Sequence, residues 1–172
     1  YLAEKICNSL GREFIDSNSG MLKEKEDFIS EVLSKISGPT TIFLDESHTL
    51  SKELTTLLLT LLNPTSSHQN SFERFGNTFI YDMRYINVIF ATTDAYMMFK
   101  PLKNRCLPIY FSHYSNEDLV SILKYYLEGV KFTCNMNEIA DACRSRARDA
   151  FLLSQNIKRF LLFKETDVIS SE

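Results

Sequence analysis

The run Thr40-Thr41-Ile42-Phe43-Leu44 constrains this chain most, because every position in it is β-branched, aromatic or aliphatic and polar and apolar residues do not alternate. A strand of that kind suits burial on both faces, as in a parallel sheet covered by helices. A second strand of the same type is expected at Ile86–Ala91, and a short one at Phe14-Ile15. Helical spacing fills the intervals. Residues 24–36 place Phe28, Ile29, Val32, Leu33 and Ile36 on one stripe that ends at Gly38-Pro39, and Ser51 can cap a helix running to Leu62 before Asn63-Pro64 stops it. Residues 63–71 read as polar loop, and the alternation from Phe72 to Tyr85 around Gly76-Asn77, with Phe79 and Tyr81 on one face, reads as a β-hairpin.

Beyond Phe111 the pattern is helical to the end. Ser115-Asn-Glu-Asp118 resembles a capping box opening a helix to Gly129, Asn135 opens another, and a third is expected from about Arg146 to Leu162. The expected fold class is therefore α/β, a parallel-sheet core over residues 1–113 followed by a helical subdomain over 114–172.

A length of 172 residues suits one domain with a small appendage, and 44% apolar residues exclude a disordered or disulfide-stapled chain. The formal charge of −3 announces neither nucleic acid nor anionic lipid in bulk, so any such contact must be local. Cys7, Cys106, Cys134 and Cys143 show no zinc-like spacing, and no apolar run reaches the ~18 residues needed to span a bilayer. A soluble, cytoplasmic protein with reduced cysteines and no membrane contact is expected. Leu2, Ala3, Ile6 and Leu10 already keep helical spacing up to Gly11, so the sequence is expected to begin inside an element.

The sharpest chemical signal is Asp45-Glu46 after the apolar run, which puts two carboxylates at the carboxyl edge of a parallel sheet, where open α/β sheets bind ligands. Asp45 could hold Mg²⁺ through its water shell while Glu46 deprotonates the water attacking a γ-phosphate, or the pair could be a solvated strand end. Ala91-Thr92-Thr93 ends the next buried strand at the same edge. There Thr93 could bond a phosphate or the attacking water, or could simply suit a strand end. Arg105, in Pro101-Leu-Lys-Asn-Arg105, could be an arginine finger or a surface residue, and one of Arg144, Arg146 and Arg148 could sense phosphate or belong to a solvated first turn. His48 is read as a local hydrogen-bonding residue. The aromatics Phe72, Phe75, Phe79 and Tyr81 could stack on nucleic acid or pack on their own sheet or on a partner.

Taken in order on one layout, these signals resemble the AAA+ ATPases, with Asp45-Glu46 as Walker B, Thr93 as sensor 1, Arg105 as arginine finger and Arg148 as sensor 2. Within them the stretches Leu44–Leu50, Phe90–Thr93, Pro101–Arg105, Gly129–Thr133 and Arg144–Arg148, with Asp16–Gly20 and the hairpin, resemble the RuvB family of Holliday-junction branch-migration motors. The resemblance implies a P-loop-type core with a helical lid, Glu46 and Arg105 as catalytic residues, and Asp45, Thr93, Tyr114 and Arg148 at the nucleotide. It also implies bound ATP and Mg²⁺, a hexameric homo-oligomeric ring, branched or double-stranded DNA, and a RuvA-like junction-binding partner on hairpin 72–85.

Three departures stand out. No glycine-rich G-K-[ST] loop is present, although residues 1–6 look like the helix that follows one, so this stretch alone is expected to be inactive. The residues up to Glu172 do not include the winged-helix domain that the resemblance implies. Asn104-Arg105-Cys106 and Arg148-Asp-Ala150 resemble clamp-loader subunits as well, which leaves a clamp-loader ATPase and a non-hydrolysing adaptor as alternatives.

Overall fold

The computed structural model describes residues 2–74, 77–166 and 168–169, with the side chains of Phe72, Arg74 and Asn77 left aside. It divides into two compact units, Tyr1–Pro108 and Ile109–Glu172.

The first unit opens with α1 (Leu2–Ser9), which ends where Gly11 takes a positive φ of 63°. A three-stranded parallel sheet follows, with β2 (Thr40–Asp45) between β1 (Glu13–Asn18) and β5 (Ile86–Phe90). Thr41 and Ile42 lie on opposite faces of β2 and both are buried, which is the two-sided cover that its composition demands. Phe28 and Ile29 of α2 (Lys25–Glu31) and Leu54, Leu58 and Leu61 of α3 (Lys52–Leu61) join Ile42 and Leu44 in one core. Ser51 caps α3 as expected, accepting from the Leu54 amide at 3.2 Å. At the amino end of the sheet the Arg12 guanidinium donates to Thr41 Oγ1 at 3.0 Å and to the carbonyls of Thr40 and Tyr85 at 2.7 and 2.9 Å.

Helix α2 is shorter than the 24–36 periodicity predicts and gives way to a 3₁₀ turn at Leu33–Lys35. The hydroxyls of Ser30 and Ser34 bond back to the carbonyls of Glu26 and Ser30, a competition that disfavours continued α-helix. The hairpin comprises β3 (Gln69–Arg74) and β4 (Asn77–Asp82), so residues 69–71 are strand rather than loop and Met83–Tyr85 form a 3₁₀ turn. The earlier start of β3 follows from buried Asn70, whose amide donates to the carbonyls of Leu61 and Asn63 and ties the strand to the end of α3. Tyr81 packs on the core, whereas Phe79 and Ile80 are exposed. Phe75 and Gly76 lie outside the described residues, as does the side chain of Phe72. A single turn, α4 (Lys100–Lys103), sinks Leu102 into the core.

In the second unit, α5 (Asn116–Tyr126), α6 (Met136–Asp141) and α7 (Ala147–Lys164) bury Leu119, Leu123, Leu127, Ala140, Cys143 and Ala150 together. Ser115 and Asp118 form the reciprocal capping box, and Asn135 caps α6. The unit is not purely helical. β6 (Lys131–Phe132) pairs in parallel with β7 (Val168–Ile169), and two-residue strands carry too little sequence to show a period. No helix among the described residues is long and apolar enough to cross a membrane.

Candidate functional site

Because β1, β2 and β5 run parallel, their carboxyl ends meet at one edge. Asn18 stands opposite Asp45, Leu44 stands opposite Phe90, and Thr92 and Thr93 lie just beyond the end of β5. Asp45 is exposed, and its Oδ1 accepts from the Glu46 amide at 2.9 Å. Glu46 holds the left-handed conformation, φ 50° and ψ 45°, which costs a non-glycine residue about 1–3 kcal/mol unless the surroundings enforce it. They do so from both sides. The Thr49 amide and hydroxyl both donate to the Glu46 carbonyl at 2.8 Å. The buried Ser47 donates its amide to Ala91 O at 2.9 Å and its hydroxyl to Leu44 O at 2.6 Å and Ala91 O at 3.0 Å. The turn after β2 is thereby fastened to the end of β5.

Within this frame Glu46 Oε2 is shielded from solvent and has no hydrogen-bond partner among the described residues. His48 stands beside it, with Nδ1 3.4 Å away and bonded to Thr92 Oγ1 at 2.9 Å. Thr92 Oγ1 accepts from the Asp94 amide at 3.0 Å, and the exposed Thr93 hydroxyl donates to Asp94 Oδ2 at 2.9 Å. Ser19, fully buried at the end of β1, gives its amide to Asp45 O and leaves its own hydroxyl without a partner. Sequence reasoning singled out Asp45, Glu46 and Thr93, read His48 as a local hydrogen-bonding residue, and gave Thr92 and Ser19 no role of their own. The signal for His48 was its place two residues after Glu46, close enough for both side chains to leave one turn together.

Arg105, in the same unit as this edge, makes its bonds elsewhere. Arg105 is exposed beyond α4, with weak bonds to Pro101 O at 3.3 Å and Asn63 Oδ1 at 3.4 Å near the end of α3. Tyr114 and Arg148 belong to the second unit. Tyr114 is 46% exposed and donates its amide to Ser145 O, and Arg148 stands exposed in the first turn of α7. Arg144 and Ser145 are consecutive residues with positive φ, so the chain turns sharply just before that helix.

The donor set at the edge fits a polyphosphate with a hydrated hard cation: two carboxylates and a hydroxyl offer oxygen only, and the unpartnered Glu46 oxygen can accept a proton or hydrogen bond. Among the described residues no three His, Cys, Asp or Glu side chains gather into an all-protein cation cage.

Comparison with known proteins gives a consistent result. The model of the ATPase family associated with various cellular activities (AAA) matches residues 1–114. The Holliday junction branch migration complex subunit RuvB of Ehrlichia ruminantium (strain Gardel) is 26% identical over 99% of this chain and 53% of its own length. RuvB of Wolbachia sp. subsp. Brugia malayi is 29% identical over 98% of the chain and 53% of its own length. The chain thus spans about half the length of these relatives. Among solved structures, the Thermotoga maritima RuvB Holliday junction branch migration motor superposes with a TM-score of 0.78 at 21% identity, covering 98% of this chain and 53% of that one. A fold shared at that identity, whole-chain likeness to RuvB and a family match over more than half of the residues agree with the geometry: the chain belongs to the AAA family of ATPases and, within it, is similar to RuvB.

Proposed function

We propose that this chain is the motor portion of a RuvB-type ATPase, in which ATP hydrolysis in a hexameric ring drives branch migration or translocation of double-stranded or branched DNA in the cytoplasm. The observation that carries this reading is the edge itself: Asp45 and Glu46 at the tip of the central strand, Thr93 at the neighbouring tip, and a Glu46 oxygen with no partner of its own. Residues 1–113 then act as the nucleotide-binding core and residues 114–172 as the lid, with Tyr114 at the nucleotide and Arg148 as a phosphate sensor.

In this reading Glu46 orients a water against the γ-phosphorus and accepts its proton as the water oxygen bonds to phosphorus and the bond to the ADP oxygen breaks. Thr93, exposed two residues past Ala91, offers its hydroxyl to the same phosphate or water. Asp45 would hold Mg²⁺, which would supply neutralisation of the charge on the phosphates. Arg105 reaches a neighbouring subunit's phosphate, which suits a guanidinium standing exposed on only weak local bonds.

Glu46→Gln tests the assignment. The amide keeps the shape but cannot take the proton, so in the full-length protein hydrolysis should fall by about 10²-fold or more while ATP binding persists. Unchanged turnover refutes the reading. The hairpin is assigned to a RuvA-like junction-binding partner, because exposed Ile80 and Phe79 exceed what a two-stranded ribbon buries alone. Deleting residues 72–82 should abolish stimulation by the partner and spare basal ATPase. Loss of basal activity would make the hairpin structural instead.

A further inference from the structure

His48 stands between two strand ends at the point where the chemistry is assigned. Its side chain is only 17% exposed. Nδ1 faces two oxygens at once, Thr92 Oγ1 at 2.9 Å beyond β5 and Glu46 Oε2 at 3.4 Å beyond β2, and Nε2 lies 4.0 Å from Asp94 Oδ2. A single ring nitrogen offers one hydrogen or one lone pair, so Nδ1 serves one of these oxygens at a time. The shorter contact is to Thr92, and the oxygen left without a hydrogen bond is Glu46 Oε2. That oxygen is also shielded from water, so it faces the imidazole at 3.4 Å while the Glu46 side chain as a whole remains 42% exposed.

Thr92 is itself held by the Asp94 amide at 3.0 Å, and Asp94 Oδ2 accepts from Thr93 at 2.9 Å. A continuous chain of contacts thus runs from Thr93 through Asp94 and Thr92 to His48 and on to Glu46. We infer that His48 is a positioning residue: anchored on Thr92, its ring fixes where the Glu46 carboxylate sits and transmits to it any displacement of the Thr92-Thr93 segment. A phosphate bound at Thr93 would in this way set the alignment of the base two strand ends away. The inference rests on the reading of Glu46 as the hydrolytic base.

Four variants of the full-length protein test it: His48→Ala, His48→Asn, which keeps a polar nitrogen or oxygen near the position of Nδ1, Thr92→Val, and the His48→Ala/Thr92→Val pair. Glu46→Gln runs beside them as a control. His48→Ala should lower kcat by about 10- to 100-fold, as loss of a group that orients a first-line residue does elsewhere, and should leave ATP affinity within about threefold. His48→Asn should restore a large part of that loss. The double variant should be no slower than His48→Ala alone, because both changes cut one connection.

A measurement without nucleotide stands beside the kinetics. The His48 ring ¹⁵N signals can be assigned by their loss in His48→Ala, and Thr92→Val and Glu46→Gln should each move them while leaving those of His68 and His113 in place. If Glu46→Gln abolishes turnover but His48→Ala keeps kcat within about twofold, the inference fails and the hydrolytic reading stands. It fails equally if kcat and ATP affinity drop together and His48→Asn restores neither, or if the His48 ring signals ignore Thr92→Val. If Glu46→Gln retains full turnover, the hydrolytic reading fails and takes this inference with it.

Discussion

The edge at Asp45–Thr93 and the trio Arg105, Tyr114 and Arg148 are built in opposite ways. At the edge, Ser47, Thr49 and His48 bind the turn after β2 to its own strand and to the end of β5, holding Glu46 in a backbone conformation it would not choose alone. Arg105, Tyr114 and Arg148 are exposed on short local supports. Groups that must be aligned before a reaction are fastened in advance, because orientation in place costs nothing when the substrate arrives. On the proposed reading, the trio would complete the site only on assembly or closure, and exposed side chains suit that task.

The largest effect expected from this contrast belongs to Arg105. Arg105→Ala should cost about 10³-fold or more in kcat if the guanidinium stabilises charge on a neighbour's phosphate. Mixing Arg105→Ala with Glu46→Gln subunits should recover some hydrolysis, since mixed rings place an intact Arg105 beside an intact Glu46. Failure to recover in rings shown to be mixed would break the contrast, making Arg105 structural.

A second test concerns the two cores. Leu123 is fully buried in the second unit and Leu54 in the first, and either change to Ala should cost about 2–5 kcal/mol. By scanning calorimetry, Leu123→Ala should lower a transition that Leu54→Ala leaves in place, and a common shift would show the units unfolding as one.

The smallest effect lies at the amino end of β1. A hydrogen bond from Ser37 holds the Glu13 carboxyl below its usual range, with Thr40 adding to it and desolvation opposing. A depressed pKa in the folded state contributes stability that is present above the unfolded value and is lost as the pH falls through the folded one. Wild type should therefore lose slightly more thermal stability than Ser37→Ala as the pH drops below about 4.5, readable as converging melting temperatures.

The parallel strands, the caps at Ser51, Ser115 and Asn135, and the carboxylate pair were legible because each depends on neighbours in sequence. What escaped depends on distant contacts. Residues 69–71 looked like loop because Asn70 draws its reason for being strand from the carbonyls of Leu61 and Asn63. The β6–β7 pair joins segments 36 residues apart, at Thr133 and Ile169, and neither is long enough to announce itself. His48 looked local because its partner Thr92 stands 44 positions away.

Arg12, at the far end of the sheet, bears on which threonine His48 meets. One Nη2 bridges the carbonyls of Thr40 and Tyr85, on the two chains that go on to form β2 and β5. Tyr85 closes the 3₁₀ turn that leads directly into β5, so sliding β5 by a single residue would carry the Tyr85 oxygen away from the guanidinium and forfeit that bridge. The same slide would exchange Thr92 for Thr93 opposite the imidazole. A guanidinium at one end of the sheet thus acts as an index mark, fixing the count of residues by which two adjacent and chemically identical side chains are told apart at the other.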